Sequence, residues 1–122
     1  MRLLITERDP MVREWLGRRA AELGVELIFA RSGGETLSAI DARPPDCVVL
    51  DASTSVQEEP PVWDLVPGHI PVLLYSSSRR FLRVAELAGA QLDGFVPLPF
   101  NTDALLDAAQ RATERRAAAA AA

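Results

Sequence analysis

The sequence predicts a doubly wound α/β domain, a five-stranded parallel sheet with helices on both faces. Three observations carry that expectation. Five short apolar runs punctuate the chain: Leu3-Leu4-Ile5, Leu27-Ile28-Phe29, Cys47-Val48-Val49-Leu50, Val72-Leu73-Leu74-Tyr75 and Phe95-Val96. Each is too short for a helix and reads as a strand buried on both faces. Segments of helical period separate the runs, and such alternation marks a parallel sheet with crossover helices. Finally, 122 residues are one ordinary domain, long enough to bury a core without disulfides or metals.

The first helix is announced by Asp9-Pro10, since aspartate caps and proline suits the first helical position. Its apolar stripe is read as Val12, Trp15, Leu16, Ala20 and Leu23. Ser32 with Glu35 three residues on forms a capping box for a second helix carrying Leu37 and Ile40. The third crossover is different. Pro60, Pro61 and Pro67 leave only Val62 to Val66 for a helix of about one turn, so helix 3 is expected to be short or irregular. Phe81, Val84, Ala85 and Ala88 give a fourth stripe. Leu105, Ala108, Ala109 and Ala112 give the last, opening near Asn101 or Thr102. The domain is read as residues 1–116. Residues 117–122, all alanine, favour helix but have no second face to bury. They read as a helix extension, a linker or an artificial addition.

Net charge is −4, which gives no global signal for nucleic acid or an anionic membrane surface. Cys47 is the lone cysteine and lies within an apolar run, as a core residue in a reducing cytoplasm would. Arg2, Glu7, Arg8 and Asp9 crowd the N-terminus, so no signal peptide is expected, and no apolar run has the length of a membrane span. All thirteen basic residues are arginine and none is lysine, a bias that bears on the site below. His69, the single histidine, has no neighbour with which to hold a metal and is read as a loop residue.

The right-handed crossover rule leaves few topologies, among them the flavodoxin-like order 2-1-3-4-5 with its crevice at the carboxyl ends of the strands. That order gathers Glu7-Arg8-Asp9, Asp51, Ser76-Ser77-Ser78 and Leu98-Pro99-Phe100. A carboxylate directly after Val48-Val49-Leu50 is costly without partners, so Asp51 leads the functional candidates.

On the stretches Leu3 to Pro10, Pro45 to Asp51, Ile70 to Ser77 and Gly94 to Phe100, in order and near the right spacing, the chain resembles a receiver domain of two-component signalling, as in response regulators and chemotaxis proteins. The resemblance implies that Asp51 is the phosphoacceptor equivalent and that Glu7 and Arg8 match an acidic Mg²⁺-holding pair. Ser53 sits where a backbone carbonyl completes the metal shell. Ser76 matches the switch hydroxyl and Phe95 the switch aromatic. Leu98 stands where the family has its lysine, and Leu98-Pro99 matches a bond that is often cis.

Two departures stand out. Arg8 replaces a carboxylate with a cation, and Leu98 cannot pair with a phosphoryl group. Phosphoryl transfer is mostly positioning and charge neutralisation, so the metal site is expected to be weak or lost, with Glu7, Asp51 and Ser53 its candidates. Arg8 is offered as a substitute cation forming a bidentate pair with Asp51. The reading is an atypical receiver, not an enzyme and without a cofactor, that signals by protein contacts independently of phosphorylation. The alternatives are an active phospho-receiver using Asp51 with an altered Mg²⁺ site, and a flavodoxin-like small-ligand binder. The partner face is expected at the fourth helix, fifth strand and last helix, through Arg79, Arg80, Arg83, Phe95 and Arg111, within a basic stripe that includes Arg115 and Arg116. That partner is a protein or a second copy, not nucleic acid or membrane. Trp63 in the Pro-rich crossover is a second anchor candidate, or else a core plug.

Overall fold

The computed structural model describes residues 1–52, 60–76, 83, 86, 92–97 and 102–121. Among them the elements run β1 (Arg2–Thr6), α1 (Pro10–Glu22), β2 (Glu26–Ala30), α2 (Gly33–Ala42), β3 (Cys47–Asp51), α3 (Val62–Leu65), β4 (Val72–Ser76), β5 (Gly94–Pro97) and α4 (Thr102–Ala121). The strands form one parallel sheet in the order β2-β1-β3-β4-β5, as the sequence predicts. No described helix is long and apolar enough to cross a membrane.

The apolar runs alternate across the sheet because successive strand side chains point to opposite faces. Leu3, Ile5, Val49, Leu73 and Tyr75 join Leu16, Ala20, Leu105 and Ala109 of α1 and α4 in one core. Leu4, Val48, Leu50 and Leu74 join Ile40 of α2 and Trp63 of α3 in the other. The expectation of burial on both faces fails at β2, where Leu27, Ile28 and Phe29 are only half-buried, because β2 is an edge strand with a neighbour on one side.

Local signals act largely as read. The Asp9 carboxylate accepts from the Met11 N–H at 2.9 Å and caps α1, with Pro10 at its first position. At α2 the Ser32 hydroxyl accepts from the Glu35 N–H at 3.1 Å. The Glu35 carboxylate reaches one residue further back than a standard box and takes the Arg31 N–H at 2.9 Å. α3 is a single turn between prolines, and Trp63 is buried there, so it plugs the core and is not a surface anchor.

The stripe on α1 needs correction. Leu16 and Ala20 of the stripe are buried as read, but Trp15 is 55% exposed and Leu23 is 49% exposed. Residues 12, 16 and 20 repeat every four and join the core on that side of the sheet, and Trp15 falls to the flank. α1 stops where Gly24 takes a φ of +70°, a left-handed turn that costs a glycine little. Cys47 is fully buried, as expected, and burial pushes its thiol up to about 12. The fourth stripe, Phe81 to Ala88, lies outside the described residues except that Arg83 and Glu86 are helical and exposed.

Candidate functional site

The carboxyl ends of β1, β3 and β4 bring the candidate residues to one edge of the sheet. Asp51 is the last residue of β3 and pairs in register with Tyr75 of β4. Ile5 pairs with Val49, so two residues on, Glu7 stands level with Asp51. Glu7 continues the β1 ladder, its N–H donating to the Ala30 carbonyl at 2.9 Å. Beneath it a buried hydroxyl pair fixes the strand to α2. Thr36 donates to the Ser32 carbonyl at 2.8 Å, which leaves Thr6 to donate to Thr36 across 2.9 Å.

Both oxygens of the Glu7 carboxylate are engaged by the protein. Oε1 accepts from the Asp9 N–H at 3.0 Å. Oε2 accepts from the Tyr75 hydroxyl at 2.6 Å. The same hydroxyl also donates to the Thr6 carbonyl, so one phenolic proton serves two acceptors at the end of β1. Tyr75 is buried, and burial, the hydrogen bond to Glu7 and the negative charges of Glu7 and Asp51 push its phenol well above the ordinary tyrosine range. It is therefore a donor at every physiological pH.

Arg8 lies exposed on the rim. Its Nε donates to the Arg31 carbonyl at 2.8 Å, beyond β2, on the opposite side of β1 from Asp51. That bond aims one donor away from the carboxylate it was expected to grip.

Among the described residues, the donor set is poorer in free carboxylate oxygens than the Mg²⁺ site that the receiver pattern implies. Mg²⁺ demands several hard oxygens in near-octahedral array. Here one acidic position is arginine, and the remaining glutamate spends both oxygens on protein donors. Among the described residues no group of three or more His, Cys, Asp or Glu side chains could hold a metal.

The other candidates divide. Ser76 ends β4 with its backbone in register with Pro97, while its side chain is outside the described residues, as are Ser53, Ser77, Ser78, Arg79, Arg80 and the Leu98-Pro99 bond. Phe95 is half-buried against the Leu74 side of the core. His69 is an exposed loop residue. In the described part of the basic stripe, Arg83 is exposed and the arginines of α4 bond locally. Arg111 pairs with Asp107 at 3.0 Å, and Arg115 and Arg116 both turn to Asp93.

Tyr75 is the crevice residue that sequence reasoning passed over, taking it only as part of a strand. A signal existed. A buried tyrosine hydroxyl needs a partner, and an acidic residue at the end of a nearby strand is an obvious one.

No protein-family model and no curated protein sequence matches the chain. Solved structures do. The chemotaxis response regulator CheY4 of Vibrio cholerae superposes with a TM-score of 0.76 at 20% identity, over 91% of this chain and 97% of that one. The receiver domain of the Francisella response regulator 1452 gives 0.78 at 19% identity, over 93% and 97%. NtrX from Brucella abortus gives 0.78 at 24% identity; the match covers 94% of this chain but only 28% of NtrX. The chain has the CheY-like receiver fold.

Proposed function

We propose that this receiver-fold chain is a signalling module that works through protein contacts and performs no phosphoryl chemistry at Asp51. The observation that carries the reading is the filled carboxylate of Glu7 beside an arginine where the fold's chemistry uses an acid. Phosphoryl transfer to an aspartate needs cations to offset the charge developing on the phosphoryl oxygens. The chain has no lysine anywhere, and Leu98 occupies the position where the resemblance puts one. The module is read as docking a protein partner or a second copy through β5 and the helical segments either side of it. There Phe95 keeps part of its ring at the surface, and Arg83 and Arg111 are exposed.

The test is to incubate the chain with Mg²⁺ and a small-molecule phosphodonor, and separately with a beryllofluoride mimic. Intact mass should stay unchanged and amide spectra should not shift at Asp51. A stable acyl phosphate on Asp51 of the unaltered chain would overturn the reading. Replacing Arg8 by Asp together with Leu98 by Lys should move the chain toward metal-dependent adduct formation.

A further inference from the structure

Resting on that reading of the crevice, we infer that Tyr75 is the residue that withholds Glu7 from divalent cations. The geometry is specific. Tyr75 reaches from β4 to the end of β1, where its hydroxyl meets the Thr6 carbonyl and, at 2.6 Å, Glu7 Oε2. The Asp9 N–H holds the other oxygen at 3.0 Å from within the α1 cap. A carboxylate gripped from both sides points where its donors stand. To turn toward a metal the carboxylate must weaken its bond from the phenol, which would then keep only the neutral Thr6 carbonyl, and hydrogen bonds to charged groups are the costly ones to lose. The aromatic body of Tyr75 is packed in the core with Ile5, Val49 and Leu105, so the hydroxyl cannot swing aside to make room. Tyr75 is thus a positioning residue, acting on metal affinity through Glu7. It serves the crevice as an internal substitute for a cation, tying β1 to β4 with a proton.

The experiment uses Mn²⁺ alone, titrated into the full chain and followed by paramagnetic broadening and calorimetry. Arg8→Asp provides the background, since it removes the rim cation. Adding Tyr75→Phe to it should tighten Mn²⁺ binding by about tenfold or more, the scale of one charge-assisted hydrogen bond. Adding Glu7→Gln to that pair should abolish the gain. Equal affinity with and without Tyr75→Phe overturns the inference, as does a gain that survives Glu7→Gln. A second arm needs no change at Tyr75: Arg8→Asp and Arg8→Asp/Glu7→Gln should bind Mn²⁺ equally while the tyrosine is present. A loss on removing Glu7 there would show the carboxylate already available and sink the proposal. These titrations involve no phosphodonor, so their failure is distinct from the appearance of an acyl phosphate.

Discussion

At the amino end of the sheet Asp93 meets a guanidinium; at the carboxyl end Glu7 meets a phenol. Asp93 precedes β5 and accepts from Arg116 Nε at 2.7 Å and Nη2 at 3.0 Å, with the Val72 N–H on Oδ2 at 2.8 Å. Arg116 also reaches the Gly68 carbonyl at 2.8 Å, so one fork ties α4, β4 and β5 to the loop before β4. Burial by itself raises the Asp93 carboxyl, but the Arg116 fork, the Val72 N–H and the nearby Arg115 outweigh it and hold the group below its ordinary value. Among the described residues no cation pairs with Glu7. Its donors are a neutral hydroxyl and an amide, and the nearest arginine in sequence, Arg8, bonds a carbonyl past β2. The first arrangement neutralises charge and fastens the fold. The second fixes the geometry of Glu7 with donors that carry no charge.

The sharpest way to break this contrast is at Tyr75. Tyr75→Ala should cost about 3 kcal/mol in urea unfolding, because it removes a buried ring from a two-sided core. Tyr75→Phe, which keeps the ring, should cost about 1 kcal/mol. No loss for Tyr75→Phe would mean that the hydroxyl counts for nothing beyond packing. Next comes Asp93→Ala, expected to cost about 2 kcal/mol by stranding Arg116 and the Val72 N–H, read as a lower thermal midpoint.

A pH series sharpens the same comparison. Asp93 has a folded-state affinity for protons below its unfolded one, so the unfolded chain binds more protons and stability rises with pH through that window. The contribution is complete above the unfolded value of about 4 and fades as acid passes through the folded one. Asp93→Asn should flatten this part of the acid limb; an unchanged limb would assign it elsewhere. The smallest effect is expected at Trp15. Although large, it is 55% exposed, so Trp15→Ala should shift stability by about 0.5 kcal/mol. A loss of several kcal/mol would restore it to the core stripe in which its sequence spacing placed it.

That last case shows what patterning can and cannot carry. Residues 12, 15, 16, 20 and 23 all suit one side of a helix, but only 12, 16 and 20 join the core, and spacing along the helix alone does not distinguish them from 15 and 23. The Asp9-Pro10 cap was legible because it follows from a local rule, and the strand order because the crossover rule leaves few topologies and the receiver resemblance points to one of them. The gathering of Glu7 and Asp51 was legible because strand order alone dictates it. What Glu7 and Arg8 touch was not, since it turns on a tyrosine four strand positions along β4 and a carbonyl in another loop. Glu35 teaches the same lesson in miniature: the box motif foretold a return bond, and the side chain's length set it on Arg31 instead of Ser32.

The last helix outruns the sheet it packs on. Past Arg116 it carries alanines to residue 121, all exposed, with no side chain long enough to hold anything. At 1.5 Å per residue that is an arm of about 7 Å, anchored at its root by the double arginine grip on the residue that leads into β5. Because its root is fastened to the residue that leads into β5, any tilt of that strand would be carried outward to the tip of the arm.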